Sequence, residues 1–189
     1  MPRRLPMRPG NPLNSTAPNN ISKCGYRHQS FHQMKGNDRM PQSLARAYMH
    51  LIFSTKGRIH FLHEDIRDPL HAYCATVLAN LDCQPTQINS VEDHIHILFD
   101  LGRTTSISKA VENVKSNSSR WLKTQERSLG NFSWQNGYAA FAVEASNVRH
   151  VQTYIVNQAE HHHSETFQEE YRRFLTANGI EFDEQYMWD

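Results

Sequence analysis

The feature that most constrains this chain is the stretch Glu92-Asp93-His94-Ile95-His96-Ile97-Leu98-Phe99-Asp100-Leu101. A period of two puts His94, His96, Leu98 and Asp100 on one face and Ile95, Ile97, Phe99 and Leu101 on the other, the pattern of a buried strand. The apolar face anchors the strand in a core. The opposite face brings two imidazoles side by side, where their rings can converge on one divalent metal. Taken alone, the pair fits equally well two partly buried, hydrogen-bonded histidines, so the reading turns on residues farther along the chain.

Around this strand the sequence lays out a regular series of elements. Tyr48 to Thr55 alternates as a first strand, with Met49, Leu51 and Phe53 on one face and Tyr48, His50 and Ile52 on the other. A helix is expected next, with Asp68-Pro69 resembling a cap followed by proline at the first helical position, or with a slightly earlier start that takes in Ile66, and with Leu70, Tyr73, Val77, Leu78 and Leu81 as its buried stripe. Thr86 to Val91 reads as a short strand that turns at Glu92-Asp93 into the histidine strand, forming a hairpin. A second helix starts near Ser106 and carries Ile107, Val111, Val114, Ser118 and Trp121 on one face. Lys109, Lys115, Arg120 and Lys123 lie off that stripe, as a solvated face or as phosphate contacts. Tyr138 to Val143 reads as a strand of small residues, and a third helix is expected from Asn147 to about His161. Thr166 to Glu169 has capping-box spacing, opening a last helix with Phe167, Tyr171, Phe174 and Leu175 on its apolar side and Asn178-Gly179 at its end.

Strand, helix, strand, strand, helix, strand is the order of an α+β, ferredoxin-like (split βαβ) antiparallel sheet with two crossover helices on one face. The other face needs a cover, and the third helix is the expected one. Its residues Val148, Val151, Ile155 and Ala159 make an apolar stripe, beside which Tyr154, Gln158 and His161 recur at helical spacing. Each has a bland explanation, as a core-edge tyrosine, a surface amide and a polar helix end.

Composition narrows the setting. Residues 1–41 hold seven Lys and Arg against one acid, so the rest of the 189-residue chain is net negative although the whole is +1. That leading segment, rich in Pro, Asn, Arg and Gln, reads as a disordered basic arm, followed by a domain at 42–165 and a C-terminal helix and tail at 166–189. DNA contact by this chain must rest on a local face rather than on global charge. Cys24, Cys74 and Cys83 have no metal-ligand spacing, there is no membrane-length apolar run and no nucleotide-binding motif, so a cytoplasmic, nucleoid-associated protein is expected.

His94-Ile95-His96 resembles the HUH motif (His, hydrophobe, His), and Tyr154-Ile155-Val156-Asn157-Gln158 is similar to the tyrosine helix of single-tyrosine transposases. These are the insertion-sequence-200-like enzymes of the HUH endonuclease superfamily, with REP-associated tyrosine transposases as close relatives. The resemblance spans about residues 42–165 and includes Asn117-Ser118-Ser119-Arg120-Trp121 and Phe132-Ser133-Trp134-Gln135-Asn136-Gly137-Tyr138. It implies that His94, His96 and Gln158 hold Mg²⁺ or Mn²⁺ and that Tyr154 is the nucleophile. It further implies single-stranded DNA with hairpin-containing ends as substrate, and a homodimer in which the tyrosine acts in cis or in trans. The residue types suit this chemistry, because imidazole and amide ligands leave open positions for phosphate oxygens and a positioned phenol can attack. Trp121, Trp134 and Tyr138 could stack bases or pack in the core. His161 or His162 could replace Gln158 as a ligand. Two other functions use the same residues: a domesticated DNA-hairpin-binding protein, and a histidine-rich metallohydrolase in which water is the nucleophile.

Overall fold

The structure is a computed structural model and describes residues 44–161 and 166–188, with His161 described in its backbone only. The arm expected at 1–41 and the histidines at 162 and 163 lie outside the described residues.

Four strands form one antiparallel sheet in the order β2-β3-β1-β4, where β1 is Tyr48–Ser54, β2 Gln84–Ser90, β3 His94–Asp100 and β4 Ala139–Val143. The strand bearing the histidines is therefore internal. It pairs with β1 from Tyr48 opposite Asp100 to Ser54 opposite His94, and with β2 through Asn89 opposite His96. Two crossover helices, α1 (Glu64–Ala79) and α2 (Ile107–Gln125), connect the strands in the expected ferredoxin-like order. Because side chains alternate along a strand, Met49, Leu51, Phe53, Ile95, Ile97 and Phe99 all face these helices. They form the main core with Leu70, Cys74 and Leu78 of α1 and Val111, Val114 and Leu122 of α2.

α1 takes the earlier of the two starts that the sequence allows. It begins at Glu64, and Pro69 lies inside it. Ile66 extends the buried stripe one turn back from Leu70, and Glu64 and Asp65 sit at the positive end of the helix dipole. These gains outweigh the one hydrogen bond that proline cannot donate to the Asp65 carbonyl. The second helix is capped as read, the Ser106 hydroxyl accepting from the Lys109 amide at 3.2 Å.

The second face of the sheet is covered by two helices, the third over β2 and β3 and the last, α5 (Phe167–Ala177), over β1 and β4. Phe167, Tyr171 and Leu175 pack on Ile52, Ala139 and Phe141, with Phe174, Met187 and Trp188 around them. α5 carries the larger apolar face. Both halves of its capping box are present, between Thr166 and Glu169, and Gly179 takes the left-handed conformation (φ 64°) that stops it.

The third helix, α3, spans Val148–Val156 and lies against β2 and β3. It does not run unbroken to His161. A separate turn, α4 (Gln158–His161), follows Asn157. The cause of the break lies on a neighbouring strand: the Asn89 amide of β2 donates to the Ile155 carbonyl at 2.8 Å and to the Val156 carbonyl at 3.2 Å. Those are the acceptors that Ala159 and Glu160 would need to continue the helix.

Candidate metal centre

His94 and His96 emerge from β3 on the face covered by α5, and both are buried. Each ring is held through Nδ1. His94 Nδ1 lies 2.6 Å from Asp93 Oδ1, and His96 Nδ1 lies 3.0 Å from His50 Nε2 on the neighbouring strand. Both Nε2 atoms are thereby turned to a common point, an arrangement that fixes tautomer and orientation in metal sites.

Three further side chains meet there. Gln158, fully buried on α4, brings its Nε2 to 2.6 Å from His94 Nε2. Glu170, 1 % exposed on α5, places Oε2 3.6 Å from His94 Nε2 and 3.5 Å from His96 Nε2. Its Oε1 accepts the hydroxyl hydrogen of Tyr154. Arg173, one turn along α5, donates from Nη2 to the same hydroxyl at 3.1 Å. The His96 and Tyr154 ring centroids are 6.1 Å apart. The break after α3 thus does not part Tyr154 from Gln158 in space, since both side chains reach the histidine face.

Burial governs the protonation of this group. It pushes the His94 imidazole down to about 4, against the opposing pull of Asp93, and lowers His50 as well. Burial raises the Tyr154 phenol above its ordinary value, and the neighbouring Glu170 carboxylate adds to the shift. Burial would also raise Glu170, but its pairing with His96 and His94 and its hydrogen bond from Tyr154 outweigh that and hold it below the usual carboxylate range. The ensemble at neutral pH is an anionic carboxylate, a neutral His94 and a protonated phenol.

The donor set fits a divalent cation. Ligand atoms of His94, His96 and Glu170 all lie within 4.8 Å of one another. Among the described residues, His96 Nε2 and Gln158 Oε1 are buried without a hydrogen bond, which is costly unless something else satisfies them. A half-turn of the Gln158 amide exchanges its nitrogen and oxygen and would aim Oε1 at the same point.

The sequence brought His94, His96, Gln158 and Tyr154 forward, and the fold assembles all four. It passed over Glu170 and His50. The signal for Glu170 was an acid among Phe167, Tyr171 and Phe174 on a helix stripe, since a buried carboxylate demands a partner. Other candidates lie elsewhere. Trp134 is a core residue, edge-on to Phe53 and Phe132 and donating to Ser118 Oγ at 2.9 Å, and Trp121 stacks on Tyr73. Lys115 is neither a solvated charge nor a free phosphate contact, because its ammonium donates to the carbonyls of Gln135, Asn136 and Gly137 at 2.6, 3.1 and 2.8 Å.

A ferredoxin-like α+β domain with a buried His-His-Glu group able to hold a metal ion, and a tyrosine hydroxyl bonded to that group, is the class that fold and site define. The chain belongs to the family described as transposase IS200 like, which matches residues 43–158. Among solved structures it is similar to a candidate transposase from Deinococcus radiodurans, 21 % identical, covering 67 % of this chain and 98 % of that one with a TM-score of 0.49. It is also similar to a REP-associated tyrosine transposase bound to a REP hairpin, 14 % identical, covering 65 % of this chain and 73 % of that one, again with a TM-score of 0.49. No curated protein matches the chain. No helix among the described residues is long and apolar enough to cross a membrane.

Proposed function

We propose that this transposase-family protein cuts and rejoins single-stranded DNA through Tyr154, on hairpin-bearing ends, as a homodimer. The observation that carries the reading is the Tyr154 hydroxyl, tied by one carboxylate to both members of the histidine pair. In the proposed step the tyrosine oxygen bonds to phosphorus and the bond from phosphorus to the 3′ oxygen breaks. The phenolic proton is passed on, a 3′ hydroxyl leaves, and the 5′ phosphate stays on the tyrosine. One phosphodiester replaces another, so a second 3′ hydroxyl can reverse the step without an energy source.

His94, His96 and Gln158 would hold Mg²⁺ or Mn²⁺, which supplies Lewis-acid polarisation of a phosphate oxygen. The chain's own contribution is positional. α3 and α5 fix the phenol from two sides, the Glu170 carboxylate takes its hydrogen, and the Arg173 guanidinium stands at its oxygen, where it favours loss of the proton and faces any phosphate that approaches. A phenol raised by burial is a poor nucleophile until such groups act on it.

Denaturing gels of the full chain with Mg²⁺ and an end-labelled single strand containing an imperfect hairpin test the reading. A covalent protein–DNA adduct is expected. Tyr154→Phe should fold, bind DNA and metal, and give none, at a stability cost of about 1.5–3 kcal/mol for the lost hydrogen bond to a buried carboxylate. Free fragments without an adduct would assign water as nucleophile, and a mobility shift without cleavage would leave a hairpin-binding protein. The tyrosine lies beside its own chain's histidines, so a mixture of Tyr154→Phe with His96→Ala protein should stay inactive. Recovery in the mixture would mean that α3 crosses to the partner.

A further inference from the structure

We propose that Glu170 is itself a ligand of the metal, so that α5 supplies part of the site. Glu170 lies beyond residue 158, where the family match ends, and nothing in the family assignment gives it a role. The proposal rests on the metal-binding half of the reading above and is independent of the tyrosine half.

Four observations point to it. The carboxylate is 1 % exposed on the apolar face of α5, where burying an anion costs several kcal/mol and favours any cation seated beside it. Its Oε2 stands 3.6 and 3.5 Å from the two Nε2 atoms, long for hydrogen bonds. Two donors each about 2.1 Å from one cation lie roughly 3 to 4 Å apart, so the same spacing suits a shared ion. His96 Nε2 and Gln158 Oε1 are buried without a hydrogen bond among the described residues, so three buried donors from three elements surround one point. Finally, two imidazoles and an amide carry no charge. Mg²⁺ and Mn²⁺ favour carboxylate oxygen, and a buried site of neutral donors alone would hold either cation poorly.

The consequence is a direct link between cation and nucleophile. One carboxylate presents Oε2 to the histidines and Oε1 to the Tyr154 hydroxyl, so seating the ion also seats the phenol. Loss of α5 would then remove both a ligand and the tyrosine's acceptor.

The test is Mn²⁺ binding to the full chain without DNA, followed by calorimetry. Glu170→Gln preserves size and an acceptor for Tyr154 but removes the charge. It should weaken Mn²⁺ binding by at least about tenfold, the lower end of what even outer contacts of metal sites contribute. Glu170→Asp should lie between it and the native protein, and Tyr154→Phe, which keeps the carboxylate, should bind Mn²⁺ more tightly than Glu170→Gln while forming no DNA adduct, which separates this proposal from the strand-transfer reading. Glu170→Gln binding Mn²⁺ like the native chain would overturn it. Should that variant not fold, anomalous scattering from native crystals soaked in MnCl₂ decides. A peak within about 2.5 Å of the Glu170 carboxylate supports the assignment. A peak on His94 and His96 without Glu170 removes it.

Discussion

A neutral imidazole that ligates through Nε2 must carry its proton on Nδ1, so the proposed metal site would fix the hydrogens around both histidines. His94 Nδ1–H would then donate to Asp93 and His96 Nδ1–H to His50 Nε2, leaving the His50 proton on its own Nδ1. In that reading His50, wedged between His96 and the rings of Phe141 and Phe174, is a positioning residue. His50→Leu should lower Mn²⁺ affinity by about 10- to 100-fold through a loosened His96. Calorimetric titration beside a thermal melt checks this, because a variant that loses stability but binds Mn²⁺ normally would make His50 a packing residue only. At this scale the sequence was legible where a side chain sat within a local pattern, as His94 and His96 did. It was not where meaning depends on register: His50 gains its role from β1 lying beside β3, with Ile52 opposite His96. Glu170 gains its role from a helix docked across the sheet, and no periodicity within α5 states what the opposite wall holds.

Elements were read best where their signals are local. Ser106, the Thr166–Glu169 box and Asn178-Gly179 all mark real helix ends. One failure had a distant cause: α3 was read through to His161, but Asn89 on β2 takes the carbonyls that continuity needs. The start of α1 was left between Pro69 and the neighbourhood of Ile66, and the earlier start holds because it buries Ile66. The cover of the open face was assigned to α3, which takes β2 and β3, but α5 shares it over β1 and β4. This matters for function, since Glu170 sits one turn inside the Thr166 cap. Thr166→Ala should cost about 1 kcal/mol of stability by removing the box's acceptor for the Glu169 amide. It should also reduce Mn²⁺ affinity if the first turn of α5 frays, whereas Thr166→Ser should keep both. Urea unfolding and metal titration of the pair measure the two effects, and a stability loss with unchanged Mn²⁺ binding would show that Glu170 does not depend on the cap.

Across the whole molecule the sheet separates a large apolar core under α1 and α2 from a mixed face where aromatic rings enclose the titratable site. Alternation along β1 and β3 predicted that division, because one register puts Leu51, Phe53, Ile95 and Ile97 on one side and His50, His94 and His96 on the other. The division has an acid-stability consequence that reaches beyond the site. His71 on α1 is largely buried, its Nε2 2.8 Å from the Ser90 hydroxyl of β2, and burial lowers it from 6.5 to about 4, with Asp68 opposing and Arg67 adding to the shift. His50 and His94 are lowered in the same direction by burial on the opposite face. An unfolded chain therefore binds protons that the folded one excludes. Stability from His71 and His94 is complete above about pH 6.5 and is lost as the pH falls towards 4, with a slope of about 1.4 kcal/mol per pH unit for each such proton, and His50 adds to the loss in the same direction. For His71 the full loss is about 3 kcal/mol. Urea unfolding of chelator-treated protein at several pH values should show stability falling through this window, and His71→Gln should flatten the fall by roughly one proton's slope. A variant with the same slope as the native chain would mean that His71 is protonated in the folded state and pairs with Asp68, and that the acid sensitivity belongs to the histidines of the metal face alone.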